Sequence, residues 1–322
     1  MSGVLITGAT QPLGRRLVEL LLEAGEGPVL AAGVEPEGGF PAEVTYAAVD
    51  LTHTRQIRRL LFGPALDMGV TCVVNLAHHR RPGARRARKL HVEATRLMLR
   101  LSEAHPTLTR FVHRSTAEVY AARSDRPDLL REDHAVNLSP DAPAWVRHRV
   151  EADLVACTQM GMSSLGVAVL RCAEILAPDM GSQLHDYLGS RIYLRPMGFD
   201  PIMNLLSLED AARAFALAVR SDESGVFNIP GADTLTLCRA IRAWGRDTVG
   251  VPGPLMGPLY RARRATRRTD FRYDLNRWRF HFNGVLDGAR AQAALGYTPE
   301  HPISWPGAPA ARPYRPGRPP SG

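Results

Sequence analysis

Three residues near the N-terminus have the types and spacing of a phosphate-binding turn. The segment ITGATQPLG places Gly8 and Gly14 at the outer positions of a G-x-x-G-x-x-G pattern, with Gln11 in the middle. It follows the apolar strand pattern VLIT and leads into the helical pattern RRLVELLLEAG. A glycine turn between strand and helix directs backbone N–H groups at phosphate oxygens. We therefore expect these three residues to meet the pyrophosphate of a dinucleotide, with the Gln11 side chain standing where close approach is needed.

Two carboxylates follow the next strand patterns and suit the rest of such a ligand. Glu35 ends the second strand, where an acid can bind the ribose hydroxyls. Because a carboxylate there repels a 2′-phosphate, it favours NAD over NADP. The alternative for Glu35 is a loop acid preceding Pro36. Asp50, followed by Leu51, ends the third strand, where a carboxylate could accept a hydrogen bond from an adenine amine.

Strand and helix patterns alternate along the first half of the chain. Apolar strand patterns cover 4–7, 28–34, 44–49, 71–77, 110–115 and 166–171, and helical patterns cover 12–24, 54–63, 84–105 and 143–160. This alternation predicts an α/β fold with a Rossmann-type, doubly wound parallel sheet and right-handed crossovers. Beyond Pro178 the alternation gives way to short mixed elements, which predicts a smaller C-terminal lobe.

The same reading predicts the domain organisation. We expect a dinucleotide-binding Rossmann domain over 1–178, with 203–230 returning to it. A substrate-binding lobe would cover 179–300. Residues 301–322 are rich in proline and predict a disordered tail.

Composition excludes several classes of protein. Hydrophobic residues make up 45% and charged residues 22%, as in ordinary globular proteins. No apolar run reaches the roughly 18 residues of a membrane span, and the N-terminus carries no secretory signal pattern. The four cysteines are scattered without a C-x-x-C pair, which favours free thiols in the cytoplasm and no metal site.

The formal charge of +8 comes almost entirely from arginine, since Lys89 is the only lysine. The densest basic stretch, 260–280, interleaves arginines with aromatic residues, a pattern that could bind nucleic acid or an anionic membrane. No nucleic-acid module accompanies it, so we expect instead that it belongs to the substrate lobe. Arg277 and Arg279 would then bind an acidic group of a small molecule, such as a diphosphate.

A series of short motifs in order resembles the extended short-chain dehydrogenase/reductase family, also called the NAD-dependent epimerase/dehydratase family. The motifs are ITGATQPLG, GVE, AAVDL, VVNLA, HVEAT, FVHRSTAEVY, VLR, SLEDAA and FNIPG. The ending NGVLDGARAQAALGYTP is also similar to that of the family. The resemblance covers residues 3 to about 300. It implies a Rossmann domain, a smaller substrate lobe, NAD as cofactor and a nucleotide-sugar as substrate.

The resemblance also implies roles for individual residues. Cofactor contacts would come from Gly8, Gly14, Glu35, Asp50, Leu51 and Ala77. Thr116 matches the catalytic Ser/Thr that bonds the substrate hydroxyl, and His91 stands where the family helix usually has Asn. The family's helices at 84–105 and 143–160 often pair into a dimer, which makes a homodimer an expectation here.

The match is weakest at the family's proton-transfer pair, a tyrosine with a lysine four residues later and a glutamate four residues after that. With Glu151 as the glutamate, Pro143 takes the tyrosine position and Arg147 the lysine position. Proline cannot exchange a proton, and arginine stays protonated at ordinary pH. His148 titrates in a useful range and is a candidate substitute base, with a surface histidine as the plainer alternative.

Three functional classes follow from these residues. The first is an NAD-binding protein with degenerate or atypical catalysis. The second is an active nucleotide-sugar epimerase, dehydratase or reductase that uses another base. The third is a non-catalytic sensing or interaction protein on the same fold. We expect Thr116, Arg147 and His148 to line the reaction site in the first two cases.

Overall fold

The computed structural model describes residues 3–78, 85–121, 129–190, 193–266 and 271–307, except the side chains at 85, 264–266, 274–275 and 278–279. In chain order the strands are β1 (Gly3–Thr7), β2 (Val29–Gly33), β3 (Val44–Ala48), β4 (Val70–Asn75), β5 (Arg110–Thr116), β6 (Leu129–Leu130), β7 (Gly166–Cys172), β8 (Glu174–Ile175), β9 (Tyr193–Pro196), β10 (Ile202–Leu206), β11 (Gly225–Ile229), β12 (Asp233–Thr236), β13 (Thr248–Val251) and β14 (Val285–Leu286).

The helices surround this set of strands. They are α1 (Pro12–Glu23), α2 (Thr54–Leu60), α3 (Arg85–Arg88), α4 (Ala94–Glu103), α5 (Ala144–Thr158), α6 (Gln183–Leu188), α7 (Leu208–Arg220), α8 (Leu237–Ala243), α9 (Gly253–Thr266), α10 (Tyr273–Asn276) and α11 (Ala289–Leu295). Short π-helical turns extend α2 and join α3 to α4. Short 3₁₀ turns follow β5 and α10.

A seven-stranded parallel sheet forms the centre of the molecule, in the order β11-β7-β5-β4-β1-β2-β3. The chain builds outward from β1 to β3 and then returns to build from β4 to the opposite edge. This confirms the predicted doubly wound α/β fold. The reversal lies between β1 and β4, so a crevice opens at their carboxyl ends.

Helices cover both faces of the sheet, because most strand residues are apolar and buried. Leu13 and Leu17 of α1 and Phe215 of α7 pack on one face, and Met98 of α4 and Ala156 of α5 pack on the other. Strands buried on both faces are near-continuous apolar runs, as the sequence of β1 and β2 shows. The helices are thereby fixed against the sheet, and their N-terminal turns face the carboxyl ends of the strands.

The smaller lobe has its own core, built around aromatic side chains. Tyr187, Tyr193, Tyr260, Phe271 and Phe280 are buried together, with ring centroids of neighbouring pairs 5.2 to 6.0 Å apart. Helix α7 and strand β11 lie between Tyr193 and Tyr260 in the chain, but they pack in or against the main sheet. The smaller lobe therefore consists of two separate stretches of chain.

Residues 301–307 are ordered, which differs from the expected disordered tail. The Ile303 amide and the Trp305 indole donate to the two carboxylate oxygens of Asp233, at 2.7 and 3.1 Å. Both side chains also pack against the core of the smaller lobe. The remainder of the tail, 308–322, lies outside the described residues. In the described part of the chain, no helix has the length and apolarity needed to cross a membrane.

Candidate active site

Gly8 and Gly14 occupy positions that accept no side chain. Gly8 has φ +67°, and a Cβ there would lie 2.7 Å from the Ala77 Cα at the end of β4. A Cβ on Gly14 would lie 2.5 Å from the Gly8 carbonyl oxygen. The turn after β1, the first turn of α1 and the segment after β4 are therefore in direct backbone contact. This contact forms the floor of the crevice where the sheet order reverses.

Gln11 crosses the same crevice with its side chain. It precedes the first residue of α1, and its Nε2 donates to the His78 carbonyl oxygen at 2.7 Å. A glycine at this position would leave the space open. The amide bridge instead ties the N-terminus of α1 to the segment that follows β4.

The two predicted acids beyond β2 and β3 differ in their surroundings. The Glu35 carboxylate accepts from Thr10 Oγ1 at 2.5 Å, which holds it against the glycine turn, and Glu35 is exposed. Both oxygens of Asp50 have partners, from the amide and hydroxyl of Thr52 and from Arg86. Partial burial alone would raise the pKa of Asp50, but these partners outweigh it and lower the pKa below its ordinary value. Leu51 is buried in the core.

A partly open cavity of about 70 Å³ lies at the carboxyl ends of β4, β5 and β7. This volume is smaller than that of complete ligand sites, which measure about 300–1,000 Å³. Its lining includes Ala77, His78, His91, His113, Arg114, Thr116, Glu118, Trp145, His148, Arg149, Glu174 and Ser182. Among the sequence-predicted residues, Ala77, His91, Thr116 and His148 are thus brought together here.

Helix α5 turns one face to the cavity, and that face carries Trp145, His148, Arg149 and Ala152. Spacings of three and four residues place these side chains one above the other on a helix. Trp145 is 6% exposed and packs on the end of the 3₁₀ turn after β5. The helix therefore presents an indole and a guanidinium four residues apart to the cavity.

Pro143 and Arg147 lie elsewhere, which corrects the expected register of α5. Pro143 is the N-cap residue, and its carbonyl oxygen accepts from the Arg147 amide at 3.1 Å. The Arg147 side chain is exposed and lines a different groove with Arg96 and Glu151. Since each residue turns a helix by about 100°, a two-residue shift moves a side chain to the opposite face.

The physical reason for this register is the burial of Asp153. Its carboxylate is fully buried and accepts from Ser115 Oγ at 2.5 Å and from Arg171 Nε and Nη2 at 3.0 and 2.7 Å. Glu151 is partly exposed and pairs with Arg88 at 2.9 Å on the surface. Asp153 lies four residues after Arg149, so the pattern W-x-x-x-R-x-x-x-D has the spacing expected of Y-x-x-x-K-x-x-x-E.

Arg149 connects three parts of the cavity wall. One guanidinium nitrogen contacts the Glu118 carboxylate, and another lies 2.8 Å from His78 Nε2. Its guanidinium carbon lies 4.7 Å from the centre of the Trp145 ring, in a cation–π contact. Burial and the charge of Arg114 lower the pKa of Arg149 to about 9, so it keeps its proton at neutral pH.

Two histidines of the cavity have lowered pKa values, and a buried acid beside them has a raised one. Burial lowers the pKa of His113 to about 4, and burial with the charges of Arg88 and Arg147 lowers the pKa of His148. Both imidazoles are therefore neutral at pH 7. Burial raises the pKa of Glu174, whose carboxylate accepts from Ser182 Oγ at 2.5 Å.

Thr116 lies at the cavity edge, where its Oγ1 caps the 3₁₀ turn by accepting from the Glu118 amide at 3.4 Å. No tyrosine or lysine belongs to the lining formed by the described residues. The one tyrosine near β5, Tyr120, is buried and donates to Asn228 Oδ1 at 2.6 Å. The hydroxyl of Thr116 therefore has no phenol beside it.

Arg277 lies in a separate groove of the smaller lobe. This groove has a volume of about 850 Å³, and Arg277 lines it with Tyr260, Phe271 and Tyr273. Gln183 links it to the cavity, because Gln183 lines the cavity while its Oε1 accepts from the Arg272 amide at 2.9 Å. The side chain of Arg279 lies outside the described residues.

The family model for the NAD dependent epimerase/dehydratase family matches residues 4–230, the whole stretch that contains the glycine turn, the cavity strands and α5. The chain belongs to this family. Proteins of similar sequence include the uncharacterized proteins Rv0501 of Mycobacterium tuberculosis and Mb0513 of Mycobacterium bovis. Each is 26% identical over 92% of this chain and 80% of the relative.

Solved structures of similar fold include two sugar-nucleotide enzymes. The dTDP-glucose 4,6-dehydratase of Bacillus anthracis, in complex with NAD, is 15% identical with a TM-score of 0.69, covering 94% of this chain and 92% of that one. The UDP-glucose 4-epimerase of Thermotoga maritima, with UDP-glucose, is 18% identical with a TM-score of 0.68, covering 95% of each chain. At these identities the likeness shows the fold alone, and it agrees with the Rossmann-type architecture described above.

Several residues of the cavity were missed by the sequence reasoning. Trp145, Arg149, Arg114, Glu118 and Glu174 line it without having been predicted. A signal for the first two was present, because an acid stands four residues after Arg149 as well as four residues after Arg147. For the other three, the sequence carried no signal that we can name.

Proposed function

We propose that this epimerase/dehydratase-family chain binds NAD in the crevice between β1 and β4 and a nucleotide-sugar end in the adjoining cavity, with little or no turnover. The observation that carries the proposal is the cavity face of α5, where Trp145 and Arg149 stand at the spacing of the family's proton-transfer pair. Neither an indole nor a guanidinium exchanges protons usefully at neutral pH.

Of the four crevice residues expected to meet a dinucleotide, three fit it and one, Gln11, does not. Gly8 and Gly14 leave the backbone open to a pyrophosphate, and Glu35 lies beside the turn, where it can accept from ribose hydroxyls. Gln11 is the exception, because its bridge to His78 has to open or to donate to the phosphates instead. An acid at the ribose favours NAD over NADP. NAD, when bound, supplies a hydride acceptor.

The remaining groups can hold a substrate but lack a standard proton carrier. Thr116 can bond a substrate hydroxyl, and Arg149 can bind a ribose or phosphate oxygen. General acid–base catalysis contributes about 10²–10⁴-fold to rate, so its loss leaves slow turnover at best. The groove at Arg277 supports a diphosphate-binding role for the smaller lobe. A nucleotide-sugar is favoured because sugar-nucleotide enzymes share the fold.

A second candidate function is an active enzyme with His148 as its base. His148 lines the cavity, and its Nδ1 is buried without a hydrogen-bond partner among the described residues. Its lowered pKa keeps the imidazole neutral, which is the form that accepts a proton. This second candidate also predicts NAD binding, but it predicts turnover by the wild type.

The test combines calorimetry with a turnover assay on UDP- and dTDP-linked sugars. We expect heat of NAD binding, no turnover by the wild type, and partial gain of turnover in Trp145→Tyr with Arg149→Lys. The matched control is Pro143→Tyr with Arg147→Lys. This variant should gain no turnover, because these two side chains lie outside the cavity. Turnover by the wild type that disappears in His148→Ala would establish the second candidate. Absence of NAD and NADP binding would overturn both.

Assembly and location complete the proposal. The groove between α4 and α5 exposes Leu138 and Leu154, with relative exposures of 72% and 36%, and we propose that it forms a homodimer interface. A single mass in light scattering, equal to one chain, would contradict this. We propose a cytoplasmic location, where the four free thiols would stay reduced.

A further inference from the structure

Two hydrogen-bond donors of the cavity wall are buried without a partner among the described residues. They are Nη1 of Arg114, from β5, and the indole Nε1 of Trp145, from α5. Trp145 as a whole is 6% exposed. A buried donor left unpaired costs about 1–3 kcal/mol and more when it is charged. Such atoms are expected to be paired when the site is occupied.

The charges around these two donors indicate the charge of the ligand group that would accept from them. Arg149, the other cation of the wall, is already paired with Glu118. Glu174, the other acid, accepts from Ser182 Oγ, and its charge acts on Arg114 without a hydrogen bond to Arg114 Nη1. The histidines with shifted pKa values are neutral. Within the described residues, Arg114 is therefore a cation of the cavity wall with a buried N–H that no carboxylate accepts.

We infer that Arg114 and Trp145 form a subsite for an anionic oxygen pair, and that the ligand supplies it as a sugar carboxylate. A carboxylate has two acceptor oxygens, which match one charged and one neutral N–H donor. A hydroxyl oxygen can also accept from two donors, but it carries no charge to balance the guanidinium. Both residues line the same small cavity, so one group bound inside it is the simplest partner for both donors. The inference rests on the proposed function in placing the sugar end of a nucleotide-sugar here.

The experiment compares three ligands in the presence of saturating NAD: UDP-glucuronate, UDP-glucose and UDP. We expect UDP-glucuronate to bind about 10- to 100-fold more tightly than UDP-glucose, the value of a hydrogen-bonded charge pair. The preference should disappear in Arg114→Met and decrease in Trp145→Phe, which keeps an aromatic ring but removes the N–H. Arg100→Met is the matched control, since Arg100 is exposed on α4 and outside the cavity.

Comparing the three ligands shows whether Arg114 binds the sugar carboxylate or the diphosphate. Equal weakening of all three ligands in Arg114→Met would mean that Arg114 binds the diphosphate, and equal affinity for the two sugars in the wild type would also refute the carboxylate subsite. Free D-glucuronate against D-glucose, measured by thermal shift, repeats the test without the nucleotide. Stabilisation by glucuronate alone supports the subsite, and no difference between the sugars overturns it. A separate NAD titration of each variant shows whether the cofactor part of the proposed function fails on its own.

Discussion

Replacing Asp153 by Asn tests the register of α5, on which the proposed function depends. The carboxylate is fully buried and receives four hydrogen bonds: one from Ser115, two from Arg171, whose side chain is 4% exposed, and a longer one from the Cys157 thiol. Asn retains the shape but removes the charge and replaces one acceptor oxygen by a donor. Arg171 is then left buried without a countercharge.

The size of the effect follows from this burial. Breaking one partner of a buried ion pair destabilises a protein by about 3–5 kcal/mol, out of a total stability of about 5–15 kcal/mol. Glu151→Gln is the matched control. Glu151 is 37% exposed and pairs with Arg88 on the surface, where an ion pair contributes about 0–1 kcal/mol.

The assay is equilibrium unfolding in urea, followed by circular dichroism, at pH 7. We expect the midpoint to fall strongly in Asp153→Asn and to stay close to the wild type in Glu151→Gln. If the two variants lose similar stability, or if Glu151→Gln loses more, then Asp153 is not the residue that anchors α5. In that case the assignment of Trp145 and Arg149 to the cavity face would lose its support.

Three further predictions concern the cofactor, the smaller lobe and pH. Gln11→Gly should tighten NAD binding by about 2- to 10-fold in calorimetry, because the hydrogen bond to the segment after β4 no longer has to be broken. Unchanged or weaker binding would show that this side chain does not obstruct the cofactor. Arg277→Glu should weaken nucleotide-sugar binding about 10- to 100-fold while sparing NAD, and equal loss of both would contradict its placement. His113 has a pKa near 4 in the folded protein and about 6.5 when unfolded, so unfolded chains take up its proton first as pH falls. Stability should therefore drop by about 2–3 kcal/mol between pH 6.5 and 4.5, and His113→Gln should lack this part of the slope in urea unfolding; identical slopes would refute it.

The glycine turn and the sheet could be predicted because their causes are local. Gly8 needs a positive φ, Gly14 needs the absence of a side chain, and the apolar runs of β1 and β2 are long enough to define buried strands. The predicted strand and helix ranges agree with the observed ones to within a few residues. Local pattern was sufficient for the doubly wound fold.

The register of α5 could not be derived from spacing, because two acids two residues apart satisfy the same pattern. What distinguishes Asp153 from Glu151 is Arg171, which comes from a different strand and is brought there by the parallel pairing of β5 and β7. The ordered stretch 301–307 has a similar explanation. Its partner Asp233 is distant in the chain, so a proline-rich sequence gave no sign of the contact.

Binding and proton transfer depend on different properties of a side chain. Trp145 and Arg149 have the properties that suit binding but not those that suit proton transfer. An indole has the flat apolar surface of a phenol's ring, and a guanidinium has the positive charge of an ammonium, so Trp145 and Arg149 can still shape the site and attract oxygen atoms. Their mutual cation–π contact and the pairing of Arg149 with Glu118 hold both in place. What they lack is a pKa at which a proton can leave and return near neutrality. Under the proposed function, a site of this kind retains the means to select a ligand, while the step that would transform it has no proton carrier unless the neutral imidazole of His148 supplies one.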